Sequence, residues 1–336
     1  MKQTFVISVL LLLFTFSMPL ISVSGLPASP AVSPGVSFLS APSPRITYSS
    51  AKTVDAGIAV RVLEEGSVTV MPMDQYLRGV LAAEMPASFE PEALKAQAVA
   101  ARTYTLYRIQ NGCSAHPEAD VCTDSLCCAA YIGEAAAAAA WGENASAYWE
   151  KITEAVAETD GMVALYNGTL IDTVFHSSSA GRTEAAVNVW GKDLPYLQSV
   201  ESPETDATVP NYYSRVEVSV SRFKEAFLAE YPNADLSASL SGWFKNETRS
   251  EAGYVISLDI GGVTVSGPAV RSLFSLRSAD FRVDTEDGSV VFFVTGYGHG
   301  VGMSQYGANV LASQGKNYVE ILEWYYTGVS VERWQG

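Results

Sequence analysis

The chain has 336 residues, 48% hydrophobic and 17% charged, with a formal net charge of −15. That is enough apolar material for one large core or two small ones, and it excludes a disordered chain. So acidic a balance excludes a nucleic-acid binder and a polybasic membrane-surface protein, which both need clustered Lys and Arg. The four Cys are too few for a disulfide-built scaffold of this length.

Residues 1–25 form a targeting segment. Lys2 precedes an apolar run over 5–16, and the small residues Val23-Ser24-Gly25 resemble a cleavage site. Read on to Val23, the run is about 18 residues, long enough for an uncleaved signal anchor. Either reading puts the bulk of the chain outside the cytoplasm. Residues 26–50 are rich in Pro, Ser, Ala and Gly and read as a linker. A catalytic or binding domain then occupies 51–336.

The domain opens on a hairpin, with strands over 58–62 and 67–70 and a turn at Glu64-Glu65-Gly66. A helix over 74–84 follows, with Asp74 as its N-cap and Pro86 beyond its end. A second helix over 91–108 starts with Pro91 at its first position and has an Ala-rich middle. Residues 112–133 form a loop that holds all four Cys. Residues 134–141 are compatible with helix or loop. An amphipathic helix spans 148–158, and Asn167-Gly168 joins strands over 162–166 and 169–175. Further on come a helix over 223–231, short strands over 255–260 and 262–265, a strand over 290–295, and a capping box at Asn317 to Glu320 opening a last helix. The irregular mixture predicts an α+β fold with antiparallel strands, its two lobes flanking a substrate cleft.

Leu77, Val80, Leu81 and Glu84 fall at i, i+3, i+4 and i+7, on one helical face. A carboxyl on that face loses hydration, its pKa rises, and it can donate a proton at neutral pH. The same position suits a Glu that caps the helix end or reaches solvent. Lys95 and Arg102 share a face of the next helix, where they suit either anionic substrate groups or plain solvent. The run from Phe175 through His176, Ser177, Ser178, Ser179 and Ala180 to Gly181-Arg182 is a polar loop of ligand-lining type. His176 with a neighbouring Ser lacks the elbow motif and third partner of a serine hydrolase. The stretch 296–307, with Gly at alternate positions, is neither a dinucleotide fingerprint nor a P-loop. It brings His299, Gln305 and Tyr306 to a ligand or makes a tight structural turn. His116, Cys122, Cys127 and Cys128 lie within thirteen residues and match a structural zinc site; two disulfides, drawing in Cys113, are the other reading.

Several of these stretches together resemble the stage II sporulation protein D (SpoIID) family of peptidoglycan lytic transglycosylases. They are 76–86 around Glu84-Met85-Pro86, 92–104 from Glu92 to Tyr104, 175–183, 273–281 around Leu276-Arg277-Ser278, and 298–308. The resemblance implies that Glu84 is the catalytic acid/base and that Arg102 shares its cleft. The loops at His176 and His299 are implied to line that cleft, with His176, Ser177, Ser178, Arg182, His299, Gln305 and Tyr306 as substrate contacts, and Lys95 joins them through the helix face it shares with Arg102. It further implies one structural zinc at His116, Cys122, Cys127 and Cys128, with Cys in place of one His, and no organic cofactor. The implied substrate is denuded peptidoglycan glycan strands, and the implied partners are the wall amidase SpoIIP and the membrane protein SpoIIM. Another reading is a non-catalytic glycan-binding activator of a wall amidase.

Overall fold

Alternation over 59–72 gives the first hairpin, β1 (Ala59–Glu64) and β2 (Ser67–Pro72), in antiparallel register from Ala59–Pro72 to Glu64–Ser67. The computed structural model describes residues 53–335. The expected targeting segment and linker lie outside the described residues. Among the described residues no helix is long and apolar enough to cross a membrane.

Helix α1 (Met73–Glu84) leaves the hairpin directly. Its N-cap is Pro72, with no side-chain cap, so Asp74 is not the cap expected; it pairs instead with Arg78 one turn on, at 3.3 Å. Leu77, Val80 and Leu81 are completely buried, each contributing about 1.5–3 kcal/mol by leaving water. Helix α2 (Pro91–Asn111) is buried along most of its Ala-rich middle. The cysteine loop adds a two-residue strand, β3 (Val121–Cys122), parallel to β1. Residues left open between helix and loop form α3 (Glu134–Trp141), and α4 (Ala145–Glu158) packs on α1 and α2.

The Asn167-Gly168 turn joins β4 (Met162–Tyr166) to β5 (Thr169–Leu170). The second strand is shorter than the sequence suggested. Residues 171–174 leave the ladder, and the chain resumes as β6 (Phe175–His176), then α5 (Ala186–Trp190). Next come β7 (Tyr213–Ser219), α6 (Val220–Glu230), β8 (Phe244–Arg249), β9 (Val255–Ile260), β10 (Val263–Ser266), α7 (Gly267–Leu273), β11 (Phe281–Glu286) and β12 (Ser289–Thr295). They form two antiparallel sheets, ordered β11-β12-β7 and β10-β9-β8. The chain ends with β13 (Met303–Ser304), α8 (Gln305–Ser313), α9 (Tyr318–Tyr325) and β14 (Ser330–Arg333). β13 pairs in parallel with β6, and β14 pairs antiparallel with β4. The capping box at Asn317 and Glu320 is present. The fold is α+β, as expected.

The core divides into two main clusters. One is built from β1–β4 and α1, α2, α4, α8 and α9. The other is drawn entirely from residues 218–294 and is rich in Phe; Phe223 stacks on Phe274 with centroids 4.7 Å apart. That segment is an insertion between β6 and β13. Its ends meet where the Gly296 N–H donates to the Tyr212 carbonyl at 2.9 Å.

Arg102 differs from its expected place beside Glu84. It is 0% exposed, in a fork with Asp55: Nε to Oδ1 at 2.8 Å and Nη2 to Oδ2 at 2.6 Å. Its remaining hydrogen bonds go to Met162 O, Val156 O and Thr159 Oγ1. An Ala-rich helix provides the room for a guanidinium to pass between α2, α4 and β4. Removing either partner leaves the other charge buried, at a cost of about 3–5 kcal/mol. Urea denaturation should therefore show Asp55→Ala and Arg102→Met each losing about that much, with the double variant well short of their sum.

Candidate active site

Glu84 is the last residue of α1 and half-buried. Its Oε1 accepts the Ala130 backbone N–H at 2.6 Å, and its Oε2 accepts the Gln305 side-chain N–H at 3.3 Å. Burial is the largest influence on this carboxyl and raises its pKa; the two hydrogen bonds pull the other way without cancelling the rise. No other carboxylate is among the groups that shift it.

The donors come from distant segments. Ala130 lies near the far end of the cysteine loop, where residues 130–132 run along α1. Tyr131 stacks on Tyr76 at 5.8 Å, and the Ile132 N–H donates to the Gly79 carbonyl at 3.2 Å. Gly79 permits this approach, because a Cβ there would lie 2.9 Å from the Ile132 carbonyl oxygen and overlap the Tyr131 ring. Gln305 is the first residue of α8, whose N-cap Ser304 accepts the Gly307 N–H at 3.1 Å. Ser304 in turn donates to Glu204, a carboxylate only 1% exposed that also accepts the Ser179 N–H at 2.7 Å and the Ser202 hydroxyl at 2.5 Å. Glu204 was not singled out from the sequence. Only the alignment of three donors by the fold distinguishes it from any other Glu. Tyr306 packs edge-on against Phe89 at 4.9 Å, and its N–H donates to the Ser177 carbonyl at 3.0 Å.

The polar loop is placed differently from the expectation. His176 and Ser178 are 4% and 1% exposed, inside the protein rather than facing a ligand. His176 Nδ1 lies 3.1 Å from the Val301 carbonyl and Nε2 2.6 Å from Ser179 Oγ. Burial first, then His299, pushes its pKa down to about 3. The neutral ring is therefore a framework group that donates to one neighbour and accepts from the other. Glycines let the second loop close over it, since a Cβ at Gly298 (φ 118°) would sit 2.6 Å from the His176 Cβ. His299 is half-buried, and its Nδ1 accepts the Val301 N–H at 3.1 Å. Ser177 is half-exposed and tied to Tyr306. Lys95 is neutralised by Glu92 at 2.7 Å and Glu158 at 2.6 Å, and Arg182 lies 3.7 Å from Glu201. The cationic stripe expected beside Glu84 is thus spent on ion pairs. The structure brings Glu84 and Gln305 into contact, with Tyr306 beside them.

The ligand atoms of His116, Cys122, Cys127 and Cys128 all lie within 4.8 Å of one another. His116 Nε2 is 3.3 Å from Cys128 Sγ. All four Cys are unbridged, and Cys113 stays outside the cluster. Three thiols and an imidazole converging on one point fit a four-coordinate metal, whose Zn–S bonds of about 2.3 Å give thiolate edges of about 3.8 Å. Burial, then the neighbouring Cys128, raises the Cys127 thiol pKa, so binding would release protons.

The geometry makes Gly79 a test of the tie between this loop and Glu84. Gly79→Ala should displace 130–132, cost about 1–3 kcal/mol in thermal unfolding through overpacking, and weaken amide-exchange protection at Ala130.

The family model described as stage II sporulation protein, SpoIID, matches residues 64–166. The chain is 36% identical to stage II sporulation protein D of Bacillus amyloliquefaciens over 266 residues, 79% of this chain and 75% of that protein. It is equally similar to the Bacillus subtilis protein of that name, with 76% of the relative covered. It is also 29% identical to the amidase enhancer of Bacillus subtilis, over 76% of this chain and 40% of that protein. The helix ending in Glu84 and the cysteine loop both fall inside the matched family segment, and the chain belongs to the stage II sporulation protein D family.

Proposed function

We propose that this chain is a lytic transglycosylase acting on peptidoglycan glycan strands outside the cytoplasm during sporulation. The observation that carries the reading is the half-buried carboxyl of Glu84, which accepts hydrogen bonds from the Ala130 N–H and the Gln305 side chain while burial raises its pKa. A hydrolytic glycosidase uses two carboxyl groups flanking the bond. One is enough when the nucleophile belongs to the sugar. Protonated Glu84 gives its proton to the oxygen linking N-acetylmuramic acid to N-acetylglucosamine, and the C1–O bond breaks. The 2-acetamido group supports the positive charge at C1. The muramyl C6 hydroxyl then bonds to C1, and its proton returns to the Glu84 carboxylate. The product carries a 1,6-anhydro end, and no water is consumed.

Gln305 and the Ala130 N–H hold the carboxylate formed midway, when it must collect the second proton. His116, Cys122, Cys127 and Cys128 would hold one zinc, which supplies a closed cross-link with no open position for chemistry. Similarity to an amidase enhancer favours a second role, activation of a partner amidase by the same glycan-binding surface.

Mass spectrometry of denuded strands should show anhydro ends from the wild-type chain and none from Glu84→Gln. Hydrolysed reducing ends, or no cleavage, would refute the assignment. Because the acid must start protonated, kcat/KM should fall as pH rises through the raised Glu84 pKa. Gln305→Met removes a bond that favours the carboxylate, so that alkaline limb should move to higher pH while the maximal rate drops about tenfold to a hundredfold. Elemental analysis should find one zinc per chain, retained in Cys113→Ser and lost in Cys122→Ser, with a lowered melting temperature in the latter.

A further inference from the structure

The hydroxyl of Tyr76, on α1, is a buried polar group without a partner. Tyr76 is 1% exposed, and its Oη makes no hydrogen bond among the described residues. The ring is held by its stack on Tyr131, and a buried O–H left unpaired costs free energy. Burial is the largest influence on the phenol, followed by Cys128, Tyr104, Cys122 and Glu84. The hydroxyl therefore lies within electrostatic reach of two thiols of the cysteine loop and of the Glu84 carboxyl.

Tyr104, on α2, faces the same thiols. It is 7% exposed, and its Oη donates to the Cys127 carbonyl through a long bond of 3.4 Å. Burial raises the Cys128 thiol pKa, and a hydrogen bond from Tyr104 acts against that rise. Arg108 follows one turn later on α2. Its guanidinium carbon stands 5.0 Å from the centroid of the Tyr104 ring, and its Nε is buried with no partner. It takes part in no ion pair among the described residues. A cation against a phenol polarises the O–H toward donation.

The composition of the ligand set gives these groups a task. Two thiolates and two imidazoles balance a divalent ion, whereas three thiolates and one neutral imidazole leave a negative charge over. His116 and Cys122 are 3% and 5% exposed, so water does little to solvate that charge. Charge-assisted hydrogen bonds to sulfur and a nearby guanidinium supply what solvent does not.

We infer that the Tyr76 and Tyr104 hydroxyls, with Arg108 behind Tyr104, form the outer shell of an anionic metal centre, donating to thiolates of the set His116, Cys122, Cys127 and Cys128. This rests on the metal reading of that set. The three are positioning residues, since they touch ligands and not substrate. Tyr76 lies on the helix that ends in Glu84, so the shell also joins the metal loop to that helix.

The test uses the full chain and zinc alone. Competition against a chromophoric chelator should show Tyr76→Phe and Tyr104→Phe each weakening zinc binding about tenfold. Arg108→Met should weaken it as well, and Arg108→Lys should restore most of the loss. Phe keeps each ring and its packing, so the change reports the hydroxyl. With cobalt in place of zinc, the sulfur-to-metal charge-transfer band should move to longer wavelength in both Phe variants, because a thiolate without its hydrogen bond gives up electron density more readily. Metal-free Tyr76→Phe should melt no lower than the metal-free wild type, since it loses only an unpaired hydroxyl, while its zinc-induced rise in melting temperature should shrink. Cys127→His, which makes the set neutral, should reduce the effect of either Phe substitution to within about threefold. Unchanged zinc affinity and an unmoved cobalt band in both Phe variants would overturn the shell and leave the metal. Equal loss of melting temperature with and without zinc would make the phenols packing groups and also overturn it. A wild-type chain that binds no zinc would remove the metal reading and the shell together.

Discussion

One carboxylate ties together segments that the chain keeps far apart. Glu84 ends α1, accepts a backbone N–H from the far edge of the cysteine loop, and accepts a side-chain N–H from the first residue of α8. The two hydrogen bonds stabilise the ionised form while burial opposes it, and burial prevails. A group balanced in this way changes protonation at modest cost, as an acid that must later serve as a base requires. The position of the carboxyl depends on how 130–132 lies against α1, and hence on Gly79 and on whatever fixes the loop between Asn111 and Ala130.

Glu204 plays the complementary part beneath the site. Like Glu84 it is a carboxylate removed from water, but it accepts hydrogen bonds from Ser179, Ser202 and Ser304. Its donors are neutral and numerous enough to replace hydration. Through Ser304 it fixes the first turn of α8 and so the direction of Gln305. The His176 ring, buried between Val301 and Ser179, continues the same framework. Polar residues that resemble a reactive cluster in the sequence thus act as internal struts.

The insertion between β6 and β13 has its own Phe-rich core and is anchored at its neck by Gly296 and Tyr212. It also carries Arg271 and Arg277, the guanidinium of Arg277 lying 4.3 Å from the centroid of the Tyr297 ring. A segment that folds around its own apolar cluster can carry charged residues to this place without disturbing the helices that hold Glu84.

Local signals in the sequence were sufficient for elements whose physics is local. The Glu65-Gly66 and Asn167-Gly168 turns, Pro91 at the start of α2, the capping box at Asn317 and the stripe that turns Glu84 inward all follow from backbone sterics and helical periodicity. The grouping of His116 with three Cys was legible for the same reason, because its members are close in the chain. Tertiary structure alone decided the partners. Arg102 looks like a surface cation until Asp55, 47 positions away, is folded onto it, and Lys95 is claimed by Glu158. The third Ser of 177–179, not the first two, meets His176. Charge pairing and burial depend on contacts between segments distant in sequence, and periodicity along one segment carries no record of what packs against it.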